Sequence, residues 1–296
     1  MVTVHNFSYG LLNPVLGYAM SCLGAFLGLR CITRARAHAG FARARWLALA
    51  AVSVGATGIW TMHFIAMLGF TIPGQEILYN VPVTIGSMLI AIAVVGVGLF
   101  IVGYGNGGWV PLLTGGVIVG VGVAAMHYMG MAAMIMTGSM HYDTLLFILS
   151  VVIAIVAGTA ALWAGTRVRG VAATIAASLI MGVAVSGMHY TGMAAMRVSP
   201  GSMSAMGCTA ASFLVPLLLG ISLVTFVLTI IISLSPTEEE IKADALLQHR
   251  MDTEFSADRG VVRIGTPGQT APRPPLPDRP DGAGNLFRPS RPPRVG

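Results

Sequence analysis

The chain has 296 residues, of which 55% are hydrophobic and only 9% are charged, and its mean hydropathy is +0.79. Soluble domains carry about 25% charged residues, so this composition excludes an ordinary soluble protein and indicates a membrane protein. The net charge of +6 does not indicate nucleic-acid binding, because the arginines lie between apolar segments or in the C-terminal tail, where membrane topology accounts for them.

Seven apolar segments are long enough to cross a bilayer, whose hydrocarbon core of about 30 Å requires roughly 20 residues of helix. We therefore predict an all-α, polytopic membrane protein with seven transmembrane helices in a domain spanning residues 1–235. The predicted segments are Leu11–Leu29, Trp46–Phe70, Val83–Val102, Pro111–Met134, Leu145–Ala164, Val171–Met196 and Phe213–Leu234.

The composition changes after Leu234. Ser235, Pro236 and Glu238 have the pattern of an N-cap, a proline at N1 and a glutamate at N3, which predicts a short cytoplasmic helix and linker over residues 236–264. Residues 265–296 are rich in proline and arginine and are predicted to be disordered. Because no phosphate loop or nucleophile with its base is recognisable, we predict that the chain is not an enzyme.

The loop charges predict an orientation. The first loop carries five arginines and the fifth carries Arg167 and Arg169, whereas the second and fourth loops carry Glu76 and Asp143. The positive-inside rule then predicts a multi-pass protein of the plasma membrane with its N-terminus outside and its C-terminus in the cytoplasm. The arginines assigned to the first loop are Arg30, Arg34, Arg36, Arg43 and Arg45.

One motif occurs three times: Met, His, an aromatic residue, any residue, a small residue and Met. It occupies Met62–Met67, Met126–Met131 and Met188–Met193, and its histidines are separated by 64 and 62 residues. Such a period predicts three parallel two-helix repeats plus a last helix. All three histidines then fall in the outward half of the second, fourth and sixth helices, where we expect them to face one another.

The motif residues form a candidate metal site. Positions four residues apart share one face of a helix, so each histidine is paired with the methionine that follows it. Imidazole and thioether together favour copper, especially Cu(I), over magnesium or calcium, and zinc rarely uses methionine. The candidate ligands are Met62, His63, Met67, Met126, His127, Met131, Met188, His189 and Met193.

Other interpretations remain open at this point. Methionines in apolar helices commonly serve packing, a buried histidine often binds a neighbouring carbonyl group, and a duplication within the gene could have copied a structural feature. If the trio does bind a metal, it could belong to a sensor or to a copper storage or transfer protein. A third possibility is a b-type haem protein that uses two of the histidines as axial ligands.

Across residues Leu11 to Leu234, the three motifs resemble the MHYT domain, a bacterial integral-membrane sensory module. The resemblance implies copper bound by the motif Met and His residues, and sensing of a small diatomic gas such as O2, CO or NO. Many members of the family carry a cyclic-dinucleotide enzyme or another output domain, so here the output is expected to pass to an unidentified cytoplasmic partner. Only the third copy reads Met-His-Tyr-Thr, since Phe64 replaces the tyrosine in the first copy and Met129 the threonine in the second.

Overall fold

The computed structural model describes residues 8–73, 75–136, 138–199, 207–234 and 246–255. The chain divides into two compact units, Met1–Ile241 and Lys242–Gly296. In the second unit, residues 246–255 are helical. The predicted N-cap at Ser235 and the predicted disordered tail 265–296 lie outside the described residues.

The described part of the first unit contains seven helices that are long and apolar enough to cross a membrane, which confirms the predicted fold class. Helix α2 contains a π-helical segment, Ser53–Thr61, and α7 begins with another, Ala210–Leu214. The helices are α1 (Leu12–Ala37), α2 (Gly40–Leu68), α3 (Val81–Tyr104), α4 (Trp109–Ala132), α5 (Thr144–Arg167), α6 (Val171–Ala195) and α7 (Ala210–Leu214 continuing as Val215–Leu234).

Helices α3, α5 and α7 each follow a motif helix, and each begins at a capping residue in an equivalent position of the repeat. The side chain of Asn80 accepts a hydrogen bond from the Val83 amide at the start of α3, and Asp143 accepts one from Leu146 at the start of α5. Thr209 accepts in the same way from the Ser212 amide, at the start of α7. Each cap satisfies an amide that the first turn of a helix leaves without a partner.

The described residues contain five short β-strands, which the sequence patterns do not predict. The strands connect the helices at one end of the bundle, hereafter the strand end. Strand β1 pairs antiparallel with both β2 and β5, and β3 pairs antiparallel with β4. The strands are β1 (Leu78–Tyr79), β2 (Met134–Ile135), β3 (Ser139–Tyr142), β4 (Met196–Ser199) and β5 (Cys208–Thr209). They tie the three repeats together where the motif helices end.

The opposite end of the bundle, hereafter the arginine end, differs from the prediction. Helix α1 continues to Ala37 rather than ending at Leu29, so three arginines assigned to a loop lie in the helix. Arginine is a good helix former, and a side chain near the membrane surface can extend toward polar partners. Three arginines donate hydrogen bonds to carbonyl groups near the C-terminal ends of other helices: Arg34 to Ile232 in α7, Arg36 to Thr166 in α5, and Arg43 to Gly103 in α3.

This arrangement has a physical cause. The last carbonyl groups of a helix have no partner within it, and the helix dipole places partial negative charge there, so a guanidinium group is favourable at that position. The arginines that the sequence indicated as topology determinants therefore also join α1 and α2 to three other helices.

Candidate metal centre

The histidines of the three motifs lie together in the centre of the bundle. The Nδ1 atom of His63 is 3.0 Å from Nδ1 of His189 and 3.1 Å from Nδ1 of His127. The three rings meet edge to face, with centroids 4.8, 5.0 and 5.1 Å apart. The expectation that the three motifs face one another is thus confirmed.

The repeat explains why the three side chains meet. His63, His127 and His189 each lie five or six residues before the end of α2, α4 or α6, which places them at the same depth, roughly 8 Å from the strand end. Three equivalent helices that pack around a common axis then direct one imidazole each toward that axis. The result is a pseudo-threefold cluster.

The small residues of the second and third motifs make room for the histidine of the preceding copy. A Cβ atom added to Gly130 would overlap the Nε2 atom of His63, and one added to Gly192 would overlap Nε2 of His127. The motif sequence alone does not predict this role. Ala66 is the corresponding residue of the first motif, and its side chain is buried.

The site is closed to solvent and is chemically suited to a metal ion. Each histidine is at most 1% exposed, and none of the three Nε2 atoms has a hydrogen-bond partner among the described residues. The ligand atoms of the trio lie within 4.8 Å of one another. Nitrogens bound about 2.0–2.1 Å from one ion in tetrahedral geometry are roughly 3.3 Å apart, close to the Nδ1 separations seen here. The three histidines could therefore hold a metal ion.

All six motif methionines are buried, with exposures of at most 4%, but they occupy different surroundings. The side chain of Met62 lies against Gly17 of α1, Met188 lines a cavity in the middle of the bundle, and Met67 lines a pocket at the strand end. Met126, Met131 and Met193 belong to the hydrophobic core, as do Met67 and Met188. Their role as ligands stays a prediction.

The aromatic positions show how the first copy compensates for its missing hydroxyl group. In the second copy, the Tyr128 hydroxyl is 2.6 Å from that of Ser150 in α5. In the first copy, Phe64 has no such group, and the indole Nε1 of Trp60 donates to Ser87 in α3 at 2.9 Å instead. Trp60 was not among the predicted site residues, although Ser87 and Ser150 are 63 residues apart and so occupy equivalent places in the repeat.

A buried hydrogen bond joins the helix that carries His63 to the last helix. The hydroxyl oxygens of Thr57 in α2 and Thr225 in α7 are 2.8 Å apart. Thr57 lies in the π-helical segment that ends immediately before the first motif. Wide π turns inside α-helices occur frequently at functional sites.

The fold and the site define a polytopic membrane protein in which internal repeats assemble a candidate metal centre. The MHYT family model, described as a bacterial signalling protein N-terminal repeat, matches residues 57–115, 120–178 and 182–241. The chain belongs to this family. Each matched segment begins in a helix that carries a motif and continues into the helix that follows it. The repeat unit of the family therefore pairs α2 with α3, α4 with α5 and α6 with α7, and α1 lies outside the repeat.

Several curated bacterial proteins are similar to this chain. MucR of Pseudomonas aeruginosa, named a bifunctional diguanylate cyclase/cyclic di-GMP phosphodiesterase, is 34% identical over 81% of this chain and 36% of its own length. NbdA of the same species, named a cyclic di-GMP phosphodiesterase, is 35% identical over 66% of this chain and 25% of its own. The signalling protein YkoW of Bacillus subtilis is 30% identical over 61% and 23%.

The comparisons support a membrane signalling role at the level of the family. The chain spans about a third or less of the length of these relatives and aligns with them in the MHYT region. No solved structure matches the chain.

Proposed function

We propose that this protein is a non-enzymatic membrane sensor that holds copper through His63, His127 and His189 and responds to a small diatomic gas such as O2, CO or NO. The observation that carries the proposal is the meeting of three buried imidazoles, one from each repeat, with the Nδ1 atoms 3.0 and 3.1 Å apart. Ionisable side chains inside a membrane domain are costly and usually functional.

Copper fits the donors that surround the site. Neutral imidazole is a good ligand for copper, and soft thioether sulfur from the buried motif methionines would favour Cu(I). When bound, copper would supply an open coordination position for a small gas. The histidines would hold the ion, the small residues of the motifs would set the position of their rings, and the buried surroundings would exclude water.

Of the alternatives, copper storage or transfer has one specific observation in its favour. All six motif methionines are buried, which provides more soft ligands than a single ion needs. A b-type haem is less favoured, because histidine nitrogens 3.0 Å apart leave no space for a porphyrin between the rings.

We propose that the arginine end faces the cytoplasm. Seven arginines lie at that end: Arg30, Arg34, Arg36, Arg43, Arg45, Arg167 and Arg169. Glu76 and Asp143 both lie at the strand end. Under the positive-inside rule the N-terminus is then outside and the histidine trio lies near the outer face of the plasma membrane.

The change at the metal would reach the cytoplasm through α7. Thr225 binds Thr57 in the helix of His63, and Ile232, near the cytoplasmic end of α7, accepts from Arg34. A shift of α2 would therefore act on α7 at Thr225, and a resulting shift of α7 would act on Arg34 of α1 at Ile232. The names of the relatives suggest that the cytoplasmic output partner acts in the turnover of cyclic di-GMP.

Infrared spectroscopy tests the gas-binding part of the proposal. Purified protein is loaded with Cu(I), equilibrated with CO and compared with a variant in which all three histidines are changed to Ala. The proposal predicts a CO stretching band displaced from that of the free gas in the parent protein and in His141→Ala, whose histidine lies exposed in β3. The band should be absent from the triple variant. Full copper loading without such a band, together with reversible release of the ion to a chelator, would favour storage or transfer instead.

A further inference from the structure

An apolar chamber lies in the middle of the bundle, between the histidine trio and the arginine end. Its volume is about 210 Å³, and its wall is almost entirely aliphatic. Met188, next to His189 in sequence, lines it, and on the side of α5 and α6 the wall consists largely of alanines. An apolar cavity of this size stays dry and accepts an apolar ligand.

A second pocket lies next to the chamber, at the arginine end. This pocket has a volume of about 140 Å³, and Arg36 and Arg43 both line it. Ile32, Leu99 and Leu162 line both spaces, so the two meet at these three side chains. Together their volumes fall near the lower limit of the roughly 300–1,000 Å³ typical of small-molecule sites.

Within the described part of the chain, no carboxylate lines the second pocket. Glu76 and Asp143, both at the strand end, are the only acidic residues in sequence positions 1–237. Arg36 and Arg43 donate to backbone carbonyl groups, which carry no formal charge, and the Nε atom of Arg43 has no partner within the described part of the chain. A guanidinium group has five N–H donors, so both side chains can still bind an anion.

The chamber also has access from the bilayer. Trp163 of α5 and Ile180 of α6 line it and are 47% and 69% exposed on the lipid-facing surface. Along α6 the wall extends from Ala177 to Met188, which corresponds to roughly 16 Å of helix and suits a long acyl chain.

We propose that these two spaces form one binding site for a single-chain anionic amphiphile of the fatty-acid class. The acyl chain lies in the chamber, and the carboxylate lies between Arg36 and Arg43. The site adjoins the metal centre at Met188, and the proposal does not depend on copper. The end of the acyl chain would lie beside Met188, so occupation of the chamber would affect the packing of α6, the helix that carries His189.

Native mass spectrometry of the purified full chain in detergent tests the proposal. The protein is titrated with palmitate, with hexadecanol, which has the same chain without the charge, and with inorganic phosphate. We expect one saturable palmitate adduct per chain, hexadecanol binding at least tenfold weaker, and no displacement of palmitate by phosphate. Equal binding of palmitate and hexadecanol would overturn the assignment of the arginines, and displacement by phosphate would identify a site for free anions instead.

Matched variants separate the site from general effects on the fold. Ala184→Phe fills the chamber and should weaken palmitate binding at least tenfold, whereas Val183→Phe, on the adjacent outward-facing residue, should not. If Ala184→Phe does not fold, Ala157→Phe, which fills the chamber from α5, is tested instead. Its control is Val156→Phe, on the adjacent outward-facing residue.

The charges are tested by a second pair of variants. The double variant Arg36→Gln/Arg43→Gln should reduce the affinity for palmitate to that for hexadecanol and leave the affinity for hexadecanol unchanged. Arg45→Gln with Arg169→Gln removes the same charge from exposed positions that do not line the pocket. Unchanged palmitate binding in a folded chamber-filling variant, or in the Arg36/Arg43 variant, would overturn the proposal.

Discussion

The imidazole ring of His63 lies directly against Gly130, the small residue of the second motif, with no room for a side chain between them. The same relationship joins His127 to Gly192. The second and third motifs thus supply both one histidine and the space for the histidine of the preceding copy. The cluster is assembled between repeats, and a single repeat cannot form it.

A methyl group at Gly130 should therefore disturb the metal centre. Gly130→Ala forces the His63 ring out of position, and overpacking of this kind costs about 1–3 kcal/mol of stability. We expect metal content to fall at least tenfold, as measured by elemental mass spectrometry. Gly187→Ala is the control, because a Cβ added there, two residues before His189, meets nothing within 4 Å. Equal loss of metal in both variants would show that the contact with His63 is not the cause.

The hydrogen bond between Thr57 and Thr225 should couple α2 to α7. Interhelical bonds of this kind in membranes contribute about 0.6 kcal/mol on average and up to about 1.7. A double-mutant cycle of Thr57→Val and Thr225→Val, measured by unfolding in detergent, should give a coupling energy in this range. In a control cycle that pairs Thr57→Val with Thr229→Val, the two changes in the free energy of unfolding should add, because the Thr229 hydroxyl donates to the Thr225 carbonyl within its own helix. If the free-energy changes of Thr57→Val and Thr225→Val add, this hydrogen bond does not couple α2 to α7 and cannot carry the signal.

The Arg34 side chain should stabilise the end of α7. Its hydrogen bond to the Ile232 carbonyl involves a charged donor, and such bonds contribute about 1.5–3 kcal/mol. Arg34→Gln should lower the free energy of unfolding by about this amount and speed hydrogen exchange in the last turn of α7. Arg45→Gln, at an exposed position, should change neither quantity. Unaltered exchange in Arg34→Gln would contradict the capping role.

The equivalence of Trp60 and Tyr128 as hydrogen-bonding partners can also be tested. Tyr128→Phe removes the hydroxyl that binds Ser150 and should cost about 1 kcal/mol, with metal content kept because the histidines are untouched. Trp60→Phe should cost more, since it removes the bond to Ser87 and also leaves space in the core. Loss of metal from Tyr128→Phe would mean that this hydroxyl group supports the site directly.

The sequence predicts the membrane fold and the convergence of the histidines because both depend on patterns along the chain. Apolar length defines the helices, and the period of the motif places His63, His127 and His189 at one depth. Other features depend on which groups the folded chain brings together. The carbonyl groups that Arg34, Arg36 and Arg43 reach belong to helices 60 to about 200 residues away.

Short or local irregularities were missed for a different reason. Strands of two to four residues are too brief to show an alternating pattern. The π-helical segment of α2 has a sequence, Ser-Val-Gly-Ala-Thr-Gly-Ile-Trp-Thr, that hydropathy cannot distinguish from an α-helical one. The meeting of small residues with histidine rings requires the rotation of each helix about its axis, which the motif alone does not specify.

The central claim is that the three motif histidines hold copper. The most direct measurement is the copper content of detergent-purified protein by elemental mass spectrometry, beside His63→Ala/His127→Ala/His189→Ala and the control His141→Ala. The account predicts about one or more copper ions per chain in the parent protein and in the control, and none in the triple variant. Equal copper in the parent protein and a folded triple variant, or no copper in either together with no haem absorption, would contradict it and leave the motifs a structural role.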